Sequence, residues 1–356
     1  MTDKTRLEDI ARQAGVSIAS VSRYLNGIKV RNENAKRIVA ALQKMEFQKR
    51  AIATKNAVDR NNDIIGMIVP DIKHNYCSKI VSGAIIEARK HGKHILLESA
   101  ESNALREQSI LQQFGSLPLA GLIYMPAASW SESLPPELSF FSHVPLVVVG
   151  RRNVIAGRPH IYTDNITAGY LATKYLINLG HKRIVFSIGT WEYPFGATDP
   201  LLLIKDESKM GGFASLDRFS GYVHALQDAG ITYDANLVTV GSWDYQGGRK
   251  AVAEVLGKTK DFDSLISTSD TMASGMLSSL KSLGYKIPED VSIVGWDNSE
   301  LSLFTDPHLT SVEQPSEKMG EAAARVVSEL ISRHATQADD VIFHVSIVPR
   351  ESTGLQ

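Results

Sequence analysis

The chain has 356 residues, a single cysteine and a formal net charge of −1, with 43% hydrophobic and 22% charged residues. This length suits about two to three domains, and the composition excludes disordered, collagen-like and disulfide-scaffold chains. The apolar runs are far shorter than the roughly 18 residues of a membrane span, and no apolar signal segment follows the N-terminus. We therefore expect a cytoplasmic protein that does not associate with membranes, whose lone Cys77 forms no internal disulfide.

The near-neutral net charge hides an uneven distribution along the chain. Residues 1–60 hold 13 Lys and Arg against 6 Asp and Glu, whereas residues 61–356 hold 25 against 33. A basic segment joined to a larger acidic body indicates a polyanion-binding module attached to another kind of domain. A solvated charged face on an ordinary domain is the alternative, and the charge alone does not separate the two.

The basic segment carries three amphipathic helical patterns. The first apolar stripe ends at Gly15, and the second begins after Ser17, a residue that favours helix N-termini. Two helices joined by a short turn at a glycine predict a helix-turn-helix, and a third helix is predicted over residues 32–45. The apolar positions of the three stripes are Leu7, Ile10, Ala11, Ala14, Val21, Leu25, Ile38, Leu42 and Met45.

In a helix-turn-helix, the first residues of the second helix enter the major groove of DNA. Ile18 and Ala19 offer apolar contacts there, and Arg23 is suited to a guanine or a phosphate. A small helical bundle without a ligand is the alternative, which the excess of basic residues disfavours. The polar residues predicted to position the headpiece on DNA phosphates are Ser17, Ser20, Ser22, Asn26, Arg31 and Asn34.

The segment from Leu7 to Asn26 resembles the headpiece of the lactose-repressor (LacI/GalR) family of bacterial transcription regulators. The motifs that carry this resemblance are Asp9-Ile10-Ala11, Ala14-Gly15-Val16-Ser17 and Ser20-Val21-Ser22-Arg23. The resemblance implies an all-α headpiece of residues 1–47, which binds double-stranded DNA, followed by a hinge of residues 48–61.

The hinge departs from the family pattern. Relatives usually have a Pro-Asn pair and a leucine that wedges into the minor groove, where this chain has Lys49-Arg50 and Asn56. An apolar wedge unstacks a base step, and an asparagine is a poor substitute for it. We therefore expect weaker bending of the duplex or more reliance on the basic residues Lys49, Arg50 and Lys55. Lys49, Arg50 and Asn56 are predicted to contact DNA, and Asn56 would do so by a hydrogen bond in the groove.

From residue 62 onward, short apolar runs alternate with helical stripes. This alternation is typical of doubly wound parallel sheets, and nearly 300 residues exceed one comfortable core. We therefore expect two α/β lobes with a ligand cleft at the carboxyl ends of their strands. The runs predicted as strands are 64–69, 94–97, 121–124, 146–149, 184–186, 237–240, 265–266 and 291–294.

The body resembles the effector domain of the same family, which is periplasmic-binding-protein type 1-like. The blocks that occur in family order include Leu179–Ile184, Ser269–Gly275 and Val291–Asp297. The resemblance implies a ligand-binding and dimerisation domain of residues 62–356. Its lobe one is expected at about 62–163 and 295–325, and its lobe two at about 164–294 and 326–356.

The resemblance also implies a small carbohydrate-like effector in the cleft, bound by planar polar groups and an aromatic face. A structural role is the alternative for each candidate, such as helix capping by Asp270 or core packing by Trp243. The effector-binding candidates are Asp71, Asn75, Tyr76, Arg151, Arg218, Trp243, Asp270, Asp297 and Gln314.

Two departures from the family pattern bear on the cleft. Gly150 stands where many relatives have aspartate, and Arg151 and Arg152 follow it. These arginines suit an acidic or phosphorylated ligand, or they are surface or interlobe charges, which is the interpretation that we favour. The apolar stretch of residues 190–217 is longer than in relatives, which predicts a lid over the cleft or a contact with a partner.

No enzyme motif in the sequence is convincing. Gly257-Lys258-Thr259 lacks the earlier glycine of a phosphate-binding loop, and His91 and His94 have no further metal ligands nearby in sequence. We therefore expect no catalysis, no metal and no cofactor. A solute-binding protein of a sugar transport system is the other alternative, which the basic head and the missing signal segment oppose. We favour a repressor that acts as a homodimer on a pseudo-palindromic operator.

Overall fold

The computed structural model describes an N-terminal helical region and a two-lobed α/β body. Within the N-terminal region, it describes residues 10–25, 31, 33–34, 37–38 and 41. Within the body, it describes residues 63–127, 135–190, 199–205 and 212–356.

The N-terminal region contains the predicted helix-turn-helix. Residues 10–14 form α1, α2 spans Ile18–Leu25, and positions 33, 34, 37, 38 and 41 belong to α3. Gly15 ends α1 with a φ of 63°, and the Val16 N–H donates to the Ala11 carbonyl across the turn. The three helices share a small core, which confirms the predicted stripes at Ile10, Ala11, Ala14, Val21 and Ile38.

The body contains two six-stranded sheets, one in each lobe. The strand order is β11-β5-β4-β3-β1-β2 in lobe one and β12-β10-β9-β8-β6-β7 in lobe two. The strands of lobe one are β1 Ile64–Val69, β2 His94–Ser99, β3 Gly121–Tyr124, β4 Leu146–Val149, β5 His160–Thr163 and β11 Val341–Phe343. Those of lobe two are β6 Ile184–Gly189, β7 Val238–Gly241, β8 Ser264–Ile266, β9 Ser292–Trp296, β10 Thr310–Glu313 and β12 Ser346–Val348.

All described strand pairs are parallel except β10 with β12, which are antiparallel. Both faces of each sheet are buried under helices. In lobe one, Ile123 of β3 packs with the helices of residues 75–90 and 316–332, whereas its neighbour Leu122 packs with the helix of residues 104–114 on the other face. This is the predicted doubly wound arrangement, with an antiparallel edge strand that was not predicted.

The helices of the body are α4 Asn75–Lys90, α5 Ala104–Phe114, α6 Asn165–Asn178, α7 Pro200–Leu203, α8 Ala214–Asp228, α9 Tyr245–Lys258, α10 Asp270–Ser282, α11 Leu301–Phe304 and α12 Ser316–Ser332. In lobe two, α6 and α8 cover one face of the sheet, and α9 and α10 cover the other. A membrane span would need a longer and more apolar helix than any in the described residues.

The body chain passes between the lobes three times, which corrects the predicted boundaries. It crosses between β5 and α6, between β10 and α12, and between β11 and β12. Residues 295–313 therefore belong to lobe two and residues 326–343 to lobe one, the reverse of the prediction. The reason is that β9 pairs with both β8 and β10, whereas α12 packs on the sheet of lobe one.

Neighbouring helices in both lobes approach each other through paired glycines. A Cβ added to Gly221 of α8 would collide with the Ile166 carbonyl of α6, and one added to Gly169 of α6 would collide with the Arg218 carbonyl of α8. Backbones that touch in this way leave no room for any side chain. Equivalent pairs are Gly83 with Gly320, between α4 and α12, and Gly248 with Gly275, between α9 and α10.

Candidate functional site

A cavity lies between the two lobes, and its empty space is about 810 Å³ when the open solvent at its mouth is included. It is formed at the carboxyl ends of the strands, where ligands bind in open α/β sheets. Lobe one contributes Pro70, His74, Tyr76, Cys77, Met125, Pro126, Ala127, Val149, Gly150 and Arg151 to its wall. The remaining lining residues are Thr190, Phe213, Ala214, Ser215, Arg218, Trp243, Thr268, Asp297 and Gln314.

Arg218 is a charged residue of the cavity that several neighbours hold in place. Its Nε donates to Asn165 Oδ1 at 2.8 Å and its Nη1 donates to the Thr268 carbonyl at 3.1 Å. Its guanidinium stacks on the Trp296 ring, 4.4 Å from the ring centre. Burial lowers the pKa of Arg218, and the nearby Asp297 carboxylate opposes this effect. The guanidinium is therefore held rigidly, with N–H groups left to face the cavity.

Asp297 and Gln314 continue this polar network. The Gln314 Nε2 donates to Asp297 Oδ1 at 2.7 Å, and Gln314 Oε1 lies 3.4 Å from Arg218 Nη2. Asp297 has a φ of 94°, a left-handed conformation that is rare for aspartate and occurs where surrounding structure enforces it. Strain of this kind clusters at ligand sites, and here it directs a carboxylate into the cavity.

Aromatic and apolar groups form the rest of the cavity. Trp243 packs over Gly189, where an added Cβ would collide with the indole ring, and the Trp243 and His74 ring centres are 6.3 Å apart. Tyr76 and Cys77 lie on the lobe one side, and burial raises the pKa of the Cys77 thiol to about 12. The thiol is therefore protonated near neutral pH and contributes to packing.

The two arginines that follow β4 have different positions. Arg151 lines the cavity, with its guanidinium carbon 5.4 Å from the centre of the Phe213 ring. Arg152 is an interlobe charge, because it forms an ion pair with Asp217 of α8 in lobe two. One member of the Arg-Arg pair thus faces the cavity and the other joins the lobes.

Three of the effector-binding candidates lie outside the cavity wall. Asp71 accepts a hydrogen bond from the Lys73 N–H at 3.0 Å, and Asn75 is the first residue of α4. Asp270 is buried and accepts from the Ser299 N–H, the Ser299 hydroxyl and the Ser311 hydroxyl at 2.6 to 2.8 Å. The candidates that the structure does bring together in the cavity are Tyr76, Arg151, Arg218, Trp243, Asp297 and Gln314.

Asp270 carries a prediction for the pH dependence of stability. Burial, and secondarily the Asp297 charge, raise its pKa to about 7. A carboxyl group whose folded-state pKa is raised binds a proton preferentially in the folded state, so its contribution to stability is lost as the pH rises toward 7. We expect the free energy of unfolding of the wild type, relative to Asp270→Asn, to fall between pH 5 and pH 7 by as much as about 1.4 kcal/mol per pH unit. Urea denaturation at each pH measures this difference, and a constant difference would mean that Asp270 stays ionised.

Some lining residues were not among the sequence candidates. Met125, Pro126 and Ala127 follow β3, Thr190 follows β6, and Thr268 follows β8, so the rule that ligands bind at the carboxyl ends of strands would have found them. The buried Glu107 of α5 fixes the cavity-lining segment of residues 125–127 to the end of β3. Its carboxylate accepts hydrogen bonds from the Ala127 N–H at 2.7 Å and from the Tyr124 hydroxyl at 2.9 Å.

The long stretch of residues 190–217 is described at 190, 199–205 and 212–217. Leu203 of α7 packs in the core of lobe two with Phe213, and Asp199 accepts a hydrogen bond from the Tyr233 hydroxyl at 3.0 Å. Phe213 and Ser215 also line the cavity. The described part of this stretch therefore packs on lobe two and reaches the cavity at its end.

The second candidate surface is the outer face of α2. Val21 is buried in the headpiece core, whereas Ile18, Ala19 and Arg23 are exposed on α2. Ser17 caps α2, because its Oγ accepts from the Ser20 N–H at 3.2 Å. Of the other candidates, Ser22 and Asn34 are half-buried and Arg31 is exposed, while Asn26, Lys49, Arg50 and Asn56 lie outside the described residues.

Comparison with known protein families agrees with both sites. The family described as bacterial regulatory proteins, lacI family, matches residues 6–49, and the periplasmic binding protein-like domain matches residues 173–353. The first match contains α2, and the second contains Arg218, Trp243, Asp297 and Gln314.

Curated relatives and solved structures match nearly the whole chain. The HTH-type transcriptional regulator RegA of Clostridium saccharobutylicum is 31% identical over 98% of this chain and 99% of its own. Catabolite control protein A of Priestia megaterium is 27% identical over 97% of this chain and 98% of its own. The structure of the transcriptional regulator CelR in complex with cellobiose has a TM-score of 0.72 and 26% identity, and covers 97% of this chain and 99% of its own. The chain therefore belongs to the lacI family of bacterial regulatory proteins and is a DNA-binding transcriptional regulator.

Proposed function

We propose that this regulator is a repressor that binds its operator as a homodimer and is controlled by a small carbohydrate-like effector between the lobes. The observation that carries this proposal is the cavity, whose wall combines the Arg218, Asp297 and Gln314 network with the Trp243 ring. Planar polar groups suit the vicinal hydroxyls of a sugar, and an aromatic face suits the apolar side of its ring. The cellobiose complex of the CelR regulator shows that a structural relative binds a sugar.

A thermal-shift screen tests the effector class. The panel pairs neutral sugars with charged derivatives: glucose, galactose, ribose and cellobiose with gluconate, galacturonate and glucose 6-phosphate. A ligand at 100 times its Kd stabilises the folded protein by about 2.7 kcal/mol. We expect at least one member to raise the Tm of the wild type and to change operator affinity. Nucleobases form the comparison arm, and a response to these alone would contradict the proposal.

The exposed face of α2 carries the proposal for DNA recognition. An operator is first selected from a random duplex pool with the full-length protein, and its affinity is compared with that of a shuffled duplex in gel shifts. We expect Arg23→Ala to reduce this discrimination by about 5- to 150-fold, because one arginine contact to a base contributes about 1 to 3 kcal/mol.

Arg37→Ala is the matched control for Arg23→Ala. Arg37 lies on α3 of the same headpiece and pairs with the exposed Glu33 at 2.8 Å. We expect this change to affect the selected and the shuffled duplex alike. Equal discrimination by the Arg23→Ala variant and the wild type would contradict the assignment of α2 as the recognition helix.

The homodimer proposal is supported by exposed apolar side chains on lobe two. Phe304 is 79% exposed and Leu303 is 51% exposed on α11, and Leu283 at the end of α10 is 57% exposed. A two-fold protein also matches the two-fold symmetry of a pseudo-palindromic operator. We propose that this face contacts a second copy of the chain.

Phe304→Glu tests this face. A buried aromatic anchor typically contributes 2 kcal/mol or more to an interface, so we expect the dimer Kd to increase by about 30-fold or more in sedimentation velocity. Leu355→Glu makes a similar change at another exposed apolar residue, which is 85% exposed, and should leave the dimer intact. A Phe304→Glu protein that sediments like the wild type would rule out this face as the contact.

Two further parts of the proposal concern where the protein acts and whether it is an enzyme. We propose that it acts in the cytoplasm, where its operator lies, and that it regulates without catalysing a reaction. A solute-binding protein of a transport system would not need a helix-turn-helix. The match of residues 6–49 to the lacI family therefore supports a regulator over this alternative. A truncated chain lacking residues 1–61 should keep the thermal response to the effector and lose the gel shift.

A further inference from the structure

Two pairs of consecutive residues face each other across the lobes. In each pair, one residue lines the cavity and the other lies outside it. In lobe one, Arg151 lines the cavity and Arg152 does not. In lobe two, Arg218 lines the cavity and its neighbour Asp217 does not. The two residues outside the cavity, Arg152 and Asp217, form an ion pair between the lobes. Each arginine of the cavity is therefore the chain neighbour of one member of that ion pair.

The contact between Arg152 and Asp217 is bidentate. Arg152 Nε donates to Asp217 Oδ2 at 3.0 Å, and Arg152 Nη2 donates to Asp217 Oδ1 at 2.9 Å. The Asp217 side chain is only 3% exposed and the Arg152 side chain 22%. Two parallel charge-assisted hydrogen bonds fix the orientation of the partners as well as their distance. A rotation of one lobe against the other at this point would break both bonds.

The backbone is packed at the same place. A Cβ added to Gly212 would collide with the Arg152 carbonyl, and Gly212 has a φ of 67°. The Phe213 ring next to it lies against Arg151. Residues 151–152 and 212–217 thus form one continuous seam along the cavity. The lobes also meet at Lys79 and Asn298, where Lys79 Nζ lies 3.5 Å from the Asn298 carbonyl.

We infer that Arg152 and Asp217 are a positioning pair that latches the lobes in the arrangement in which Arg151 and Arg218 face one cavity. Loss of Arg152 would leave the buried Asp217 carboxylate without its cation, which is costly in a poorly solvated site. Separation of the lobes restores water to that carboxylate. Removal of either partner therefore shifts the lobes toward an open arrangement, whichever effector the cavity binds.

The distance between the lobes measures this shift directly. Spin labels are attached to Lys73→Cys in lobe one and Gln246→Cys in lobe two, two exposed positions close to His74 and Trp243. The native Cys77 is buried, and mass spectrometry checks that it stays unlabelled. Full-length protein is mixed with excess unlabelled protein so that a dimer carries one labelled copy, and the distance distribution is recorded by pulsed electron resonance without effector.

We expect Arg152→Gln and Asp217→Asn each to increase the long-distance population by at least about fivefold, and Arg152→Lys to increase it less. The double variant Arg152→Gln/Asp217→Asn should open no further than Arg152→Gln alone, because the two residues act through one contact. Arg183→Gln is the matched control, since Arg183 pairs with Asp234 inside lobe two at 2.8 Å, and its distribution should equal that of the wild type.

Two results would overturn the latch. One is a distance distribution unchanged in both single variants that remain folded by circular dichroism. The other is a double variant whose free-energy shift toward the open arrangement equals the sum of the two single-variant shifts, which would mean that the residues act independently. Neither result bears on effector class or DNA recognition, so failure of the latch and failure of the proposed function are distinguishable.

Discussion

Replacing Arg218 with alanine should reduce effector affinity by about 100-fold or more. The Arg218 guanidinium is fixed by Asn165, the Thr268 carbonyl and the Trp296 ring, so its remaining N–H groups meet a ligand without further ordering. Hydrogen bonds to a charged group contribute about 1.5 to 3 kcal/mol each, and two such bonds account for this loss. Isothermal titration with the panel sugar that most raises the wild-type Tm measures the change.

The alanine variant also loses buried hydrogen bonds, so its stability must be separated from its affinity. Arg218→Lys keeps the positive charge and loses the planar fork, and we expect it to bind the effector almost as poorly as the alanine variant. Arg183→Ala removes another arginine of lobe two that lies outside the cavity, and its affinity should stay within about twofold of the wild type. Near-normal affinity in a folded Arg218→Ala protein would remove Arg218 from the site.

The second large effect is expected at the crossing of α6 and α8. Gly221→Ala adds one methyl group, which would collide with the Ile166 carbonyl and crowd the Tyr170 N–H. Backbone cannot yield as a flexible side chain does, so the helices must separate and expose the core around Phe219. Overpacking of a core typically costs about 1 to 3 kcal/mol, and a clash with backbone should reach or exceed the upper value in urea denaturation.

Gly257→Ala provides the same chemical change without the clash. Gly257 lies in the last turn of α9, and an added Cβ meets no atom within 4 Å. Alanine forms helix more readily than glycine, so this variant should be more stable than the wild type by about 0.5 to 1 kcal/mol. Equal stability of the two variants would mean that the α6–α8 crossing tolerates a side chain.

The fold was predictable where burial leaves a pattern in the sequence. Central strands such as β1, β3 and β4 are buried on both faces and read as continuous apolar runs, as parallel strands do. The edge strands β11 and β12 are only three residues long and partly exposed, and they were not predicted. Their pairing depends on contacts between distant segments, which is also why the lobe boundaries were predicted wrongly.

The cavity was predictable to a similar degree. Family motifs pointed to Arg218, Trp243, Asp297 and Gln314, and the structure brings these four together. Asp270 lies four residues after β8 and Asp297 directly follows β9, and both were predicted from the sequence as ligand candidates. The structure separates them, because Ser299 and Ser311 hold the Asp270 carboxylate in the interior, whereas the positive φ of Asp297 directs its carboxylate to the cavity.

The glycine pairs limit how this regulator can change shape. Shear motions need helices that slide past each other in small steps, with side chains repacking at their contacts. Where Gly169 and Gly221 bring two backbones into contact, as Gly83 and Gly320 do in lobe one, no side chain is available to repack. Each lobe should therefore respond to its ligand as a stiff body, and the movement should concentrate in the three short crossovers at residues 163–165, 313–316 and 343–346.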